Sequence, residues 1–219
     1  MYTLSNISRL VLIILCCQCA ALADTYFVKV KLVSGISLDL PRNWWLIQGE
    51  LNKTIETSGQ AVLDLSGIDL GGRTNINLIA ANCQPKSMYA SVRLDLCRPP
   101  FIPAEEAWKF GTNDLEEMGA DVKKELMQTL PKQGVALKDY ISTTKEEIAG
   151  FPALVCHYRR TENAEGKDTV MVWIIQICAP DRTYRLNLAY RESEAGIWKP
   201  VLERIKTSIV IPKKMPDEK

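Results

Sequence analysis

The chain has 219 residues, 47% apolar and 24% charged, with 27 Lys and Arg against 26 Asp and Glu, a single His and seven Cys. That balance excludes an intrinsically disordered chain, because enough apolar surface can be buried to offset the entropy of ordering. It also provides no field to hold a polyanion, so nucleic acid is not an expected partner, and one His without a nucleophile, phosphate-loop or metal motif leaves the sequence poor in chemistry.

The first element is an address. Residues Leu10 to Leu15 are apolar, Arg9 precedes them, and Ala20-Ala21-Leu22-Ala23 forms a small-x-small ending. This pattern reads as a secretory signal removed after Ala23. The apolar run from Leu10 to Ala23 spans 14 residues with Gln18 inside it, short of the ~20 that a membrane helix requires. Cys16, Cys17 and Cys19 follow Leu15, Cys16 and Gln18 rather than the small residue that normally precedes an acylated cysteine. The expectation is an exported protein, periplasmic or extracellular, with 1–23 removed, 24–212 forming one domain, 213–219 a polar tail, and no membrane span in the mature chain. Removing 23 of 219 residues leaves 196, and loss of Arg9 leaves 26 positive and 26 negative side chains.

Cleavage would leave Cys83, Cys97, Cys156 and Cys178. An even number in an exported protein predicts at least one disulfide among them, with the pairing open. Cys83 falls beside a predicted turn and Cys97 at the far end of the same hairpin, so bonds between segments, such as Cys97 with Cys156 or Cys178, are favoured. No C-x-x-C pair occurs, and Cys156 and His157 would face opposite ways on a strand, so no metal, cofactor or redox pair is expected.

Tyr26 to Leu40 reads as two short strands joined at Ser34-Gly35. Pro41-Arg42-Asn43 ends the second strand, and Trp44-Trp45-Leu46-Ile47 resumes an apolar run. Adjacent strand residues face opposite ways, which places one tryptophan in a core and leaves the other partly covered, unless the pair marks a binding surface. Leu51 to Gly72 reads as a loop with one strand at most. Its Gly71-Gly72 lacks phosphate-loop spacing, and its Asn52-Lys53-Thr54 is a glycosylation sequon that matters only in a eukaryotic secretory pathway. Ile76 to Asn82 and Met88 to Leu96 read as a hairpin about Gln84 to Ser87. Tyr89, Ser91, Arg93 and Asp95 form its wet face.

Pro103 to Phe110 predicts a short helix. The clearest helix follows, with Leu115, Met118, Val122, Leu126, Thr129 and Leu130 at helical spacing, Asn113 and Glu116 placed as a cap, and Pro131 as the stop. The neighbouring Glu116 and Glu117 diverge on a helix and read as a solvated face, not as catalytic acids. Four strands come next: Val135 to Ser142, Ala153 to Arg160, Thr169 to Cys178 and Thr183 to Arg191. Val170 to Ile175 is apolar on both faces, hence interior. Tyr184, Leu186, Leu188 and Tyr190 alternate with Arg185, Asn187, Ala189 and Arg191, which reads as a half-buried strand near the periphery. A last helix from about Glu194 to Lys206 turns Ile197, Val201, Leu202 and Ile205 inward, and Ser208 to Ile211 ends the fold. Short connections and two principal helices predict an α+β fold, a mainly antiparallel sheet flanked by helices.

Ile36-Ser37-Leu38-Asp39-Leu40-Pro41 ahead of Trp44, and Glu147-Ile148-Ala149-Gly150-Phe151-Pro152-Ala153 with Val155 and Tyr158, resemble the opening and the central strand entry of the PsbP/DcrB-like superfamily. The closing helix before Thr207-Ser208-Ile209 resembles its C-terminal end. The similarity of order covers about residues 28 to 211. It implies an antiparallel sheet flanked by helices, and exported accessory proteins, scaffolds and binders without catalytic residues. The cysteine pattern and the Gly-rich stretch before Asn75 depart from the family.

His157, alternating with Val155 and Arg159 on its strand, reads as exposed and not as a poised base. The functional expectation is therefore an exported, non-enzymatic accessory protein that binds another protein. A small-ligand carrier or a carboxylate-dependent hydrolase is the alternative. Trp44, Trp45, Tyr184 and Tyr190 are the candidate binding residues, since aromatic groups dominate interface energetics, although each taken singly also fits a core position.

Overall fold

A computed structural model describes residues 26–32, 35–47, 74–163 and 166–212. The expected signal at 1–23, the 51–72 loop with its sequon and the 213–219 tail lie outside the described residues.

Strands β1 (Phe27–Lys31) and β2 (Ser37–Pro41) pair as an antiparallel hairpin, a two-stranded sheet of its own. Seven further strands follow: β3 (Trp45–Leu46), β4 (Thr74–Asn82), β5 (Ala90–Arg98), β6 (Leu137–Ile148), β7 (Phe151–Thr161), β8 (Thr169–Cys178) and β9 (Thr183–Arg191). They form one sheet in the order β3-β4-β5-β9-β8-β7-β6, and every neighbouring pair is antiparallel. The fold is thus α+β with an antiparallel sheet. Apolar on both faces, β8 is interior, between β9 and β7. The β6–β7 hairpin closes on Ala149 and Gly150, both at positive φ (54° and 82°), as a two-residue turn requires when it follows the right-handed strand twist.

Helices α1 (Ala104–Lys109) and α2 (Thr112–Thr129) cover one face over β6, β7 and β8. Ala107 packs with Leu154 and Cys178, while Leu126 and Leu130 pack with Tyr158, Val170, Val172 and Ala189. Gly119 allows α2 to approach β6 closely, because a Cβ there would lie 3.0 Å from Thr143 Oγ1 and 3.4 Å from the Tyr140 ring. The β1–β2 hairpin and α3 (Ala195–Thr207) cover the other face. Ile36, Leu38 and Leu40 of the hairpin segment meet Leu94, Leu186 and Leu188 of the sheet and Leu202 and Ile205 of α3 in the main core. The C-terminal segment is pinned to the hairpin by two backbone hydrogen bonds between Ser37 and Val210 (3.1 and 2.8 Å).

One ionic network ties the far end of β9 to its surroundings. Arg191 donates to both oxygens of Glu162 (2.9 and 2.8 Å), to Glu194 (2.6 Å) and to the Ser87 carbonyl (3.0 Å). Glu194 in turn accepts from the Tyr89 backbone N–H (3.0 Å) and from Trp198 Nε1 (2.8 Å). The β4–β5 turn, the β7–β8 connection and the start of α3 therefore share one cation, whose hydrogen bonds hold the Glu162 carboxyl below the usual carboxylate range.

Several expectations need correction. No disulfide joins Cys83, Cys97, Cys156 or Cys178 to one another, and all four are buried. Cys97 and Cys178 both stand opposite Thr183, one on each side of β9. They are two strand spacings apart, ~10 Å, beyond the ~7 Å that a disulfide can span. β9 is not peripheral but central, between β5 and β8, since its polar alternation reports a wet face and not a free edge. β6 continues past Ser142 to Ile148, because the polar Lys145-Glu146-Glu147 stretch is an exposed edge strand and carries no apolar signal. Helix α2 starts with the Gly111 N–H bonded to the Asp114 carboxylate (2.7 Å), not with an Asn113 cap. In α3 Trp198 is buried where Ile197 was expected, and Ile197 faces outward.

Candidate functional site

The four aromatic candidates separate. Trp44 is 6% exposed and meets Trp198 edge to face (centroids 5.8 Å), Tyr184 is 1% exposed, and Tyr190 is 4% exposed against Trp173 (6.0 Å). These three belong to the core. Trp45 is 50% exposed, with Lys86 Nζ 4.7 Å above its ring. The structure does not gather the four into one surface.

His157 is half-buried. Its ring meets Trp173 edge to face at 5.6 Å, and its Nδ1 lies 3.4 Å from Ser142 Oγ. Burial lowers its pKa, opposed by Glu146. The Ser142–His157 contact is longer than the ~2.6–3.2 Å of a working nucleophile–base pair. The nearby Glu146 accepts from Lys206 (3.1 Å). Among the described residues no three His, Cys, Asp or Glu side chains gather to hold a metal, and no helix is long and apolar enough to cross a membrane. A groove of about 340 Å³ between α2 and β6, lined in part by Lys123 and Tyr140, lies at the surface outside the main core.

The most distinctive surface is on the strands where α1 and α2 stop. Paired residues of an antiparallel sheet point to the same side, so the register defines each row. On the helix side of β3, β4, β5 and β9, successive rows read Trp45-Asn82-Ser91, Ala80-Arg93-Asn187 and Asn77-Asp95-Arg185. Apart from Ala80 and Trp45 these are polar, while the opposite side of the same strands bears Val92, Leu94, Leu96, Leu186 and Leu188 in the core. Asp95, 5% exposed, accepts from Asn77 Nδ2 (2.9 Å) and from Arg185 Nη2 (3.2 Å). Arg185 Nε is buried with no hydrogen-bond partner. Glu125 of α2 is influenced by Arg185, and partial burial raises its carboxyl above the usual range against that attraction. Trp45, Arg93 and Asn187 thus share one face, with α2 as its wall.

Of these residues, reading the sequence for function singled out only Trp45. Arg93 and Asp95 were legible as the wet side of a hairpin, and Arg185 and Asn187 as the polar alternation of β9. The missing link was that β9 pairs with β5, a contact between residues about 90 positions apart that merges two polar stripes into one surface.

No family model matches the chain, and no curated protein matches it. Among solved structures the chain is similar to cyanobacterial PsbP from Synechocystis sp. PCC 6803 (13% identity over 87% of this chain and 95% of that one, TM-score 0.48). It is also similar to LpqN, involved in cell envelope biogenesis of Mycobacterium tuberculosis (11%, 85% and 91%, 0.47), and to the Saccharomyces cerevisiae Ran-binding protein Mog1p (10%, 86% and 96%, 0.43). At these identities and TM-scores the likeness says nothing of the chemistry of the site, which rests on its own residues.

Proposed function

We propose that this is an exported, non-enzymatic accessory protein that docks another protein on the face of β3, β4, β5 and β9 beyond the margin of α2. The observation that supports this reading is the face itself, where Asn82, Ser91, Arg93 and Asn187 stand beside an exposed tryptophan on a sheet whose other side is the core. Tryptophan and arginine on a flat, pre-organised support are the groups that anchor protein interfaces. Export rests on the Arg9 flank and the Ala21-Leu22-Ala23 ending.

The test places a photo-crosslinking amino acid at Ser91 or Asn82 on the face and, as a control, at Glu116 on α2, in the protein expressed in its own host. One crosslinked protein from the face and none from α2 is the expected result, with the recovered chain beginning at Asp24. Absence of any crosslink from the face, or a hydrolytic turnover abolished by His157→Ala in a folded protein, refutes the docking role. A recovered chain that retains Leu10 to Leu15 refutes cleavage of the signal.

A further inference from the structure

The partner's chemistry is written in one unused cation. Arg93 stands in the middle of β5, half-buried, with Ala80 on one side and Asn187 on the other. Among the described residues it is the arginine that makes no hydrogen bond, ion pair or ring contact. Other arginines of the sheet are engaged: Arg185 and Arg191 on the adjacent β9 by Asp95 and by Glu162 and Glu194, and Arg159 on β7 by Asp139 and Glu192. A half-buried guanidinium has lost part of its hydration without gaining an acceptor among the described residues, so an acceptor brought from outside meets little competition from water.

The second observation is Arg185. It lies diagonally across from Arg93, because Arg93 pairs with Asn187 and Asp95 with Arg185. Diagonal neighbours on one face are ~7–8 Å apart, within reach of two long side chains closing on one group. Arg185 spends Nη2 on Asp95, and its Nε is buried out of a docked group's reach, so what it offers a ligand is the outer edge of its guanidinium and its charge. Asn187 shares the face with both and makes no side-chain hydrogen bond among the described residues. The local carboxylates leave Arg93 without an acceptor, since Asp95 is shared between Asn77 and Arg185, and Glu125 feels the charge of Arg185.

The geometry points to a carboxylate side chain of an acidic protein segment, seated between Arg93 and Arg185 beside the Asn187 amide, as the anchor of the docked partner. This rests on the docking face proposed above and specifies what it recognises. Arg93 would form charge-assisted hydrogen bonds in a half-shielded site, where they are stronger than on open surface. Trp45, two strands away and one row along, would supply apolar contact at the rim.

The probe is a fluorescein-labelled decapeptide of alternating Asp and Ser, compared with the same peptide carrying Asn for Asp. Binding to the purified protein is read by fluorescence anisotropy, and its place by amide shifts in the NMR spectrum. The acidic peptide is expected to move resonances of β4, β5 and β9 and to bind at least about tenfold more tightly than the Asn peptide. Arg93→Gln should cost about tenfold or more, Arg93→Lys should restore part of it, and the unfolding midpoint of both variants should stay at that of the parent. Equal binding of the two peptides, binding unchanged in Arg93→Gln, shifts confined to the α2–β6 groove, or a response to inorganic phosphate with none to the acidic peptide would each overturn the proposal. If Ser91 crosslinks persist undiminished in Arg93→Gln, the carboxylate anchor fails and the docking face stands. Loss of crosslinks from every face position in the parent protein removes both.

Discussion

The two sides of β5 and β9 are built from the same strands and do opposite work. Toward α3, Val92, Leu94, Leu96, Leu186 and Leu188 are each nearly or fully buried in the main core. Toward α2's margin, Ser91, Arg93 and Asn187 sit half-covered with unused hydrogen-bonding groups. The strand's period of two places residues one apart in sequence in different environments, so a substitution at position 93 and one at position 94 should damage different properties. Core and polar surface therefore alternate residue by residue along these strands.

The strongest way to break that separation is on the core side. Leu188→Ala removes a fully buried side chain that faces Val92 and Trp173 across its neighbouring strands. It should lower the unfolding free energy by about 2–5 kcal/mol, measured by urea denaturation. A loss under ~1 kcal/mol would mean that the central core is not where the register places it.

Arg191 comes next, because it belongs to the polar side of β9 yet is saturated with partners, unlike Arg93. Arg191→Ala strands Glu162 and loosens Glu194, with an expected loss of about 1.5–3 kcal/mol. The effect should shrink in acid. The Glu162 pKa is depressed in the folded protein, so its contribution is complete above the ordinary carboxylate range and disappears as pH falls through the folded value. Stability curves of parent and variant that stay parallel down to pH 3 would contradict this.

A smaller effect is expected at His157. Burial lowers its pKa from an ordinary 6.5, so the unfolded chain binds the proton more readily. Stability should therefore decline as pH drops below about 6.5 and level off below the folded value, by less than ~1.4 kcal/mol for each unit of depression. His157→Gln should erase that step, which thermal unfolding between pH 5 and 7.5 can follow.

The smallest stability change is expected at Arg93. Arg93→Gln should stay within about ±0.5 kcal/mol of the parent in urea denaturation, as a surface substitution without partners does. A loss of several kcal/mol would show that the side chain is structural and would merge the two sides that the comparison separates.

Much of the architecture was legible in the chain. β8 and β9 begin and end where the alternation and the double-sided apolar run place them, at Thr169–Cys178 and Thr183–Arg191. The β4–β5 hairpin, the antiparallel class and the long helix were legible for the same reason, since period and turn chemistry are local. The edge strand β6 was only half legible, because an exposed strand of Thr, Lys and Glu has no apolar face to betray it. For the site, the sequence marked polar stripes but gave no reason to join them.

By itself, then, the sequence determined the element types, the chemical neutrality and the absence of a recognisable catalytic motif, because these follow from composition and from neighbours within a few residues. The tertiary structure alone decided that Trp44, Tyr184 and Tyr190 are core while Trp45 is surface, that Cys97 and Cys178 are separated by a strand, and that Arg93 and Arg185 share one face. Strand order is the physical reason. An alternating pattern states which side of a strand is wet, but which strand lies beside it is set by packing between segments far apart in the chain.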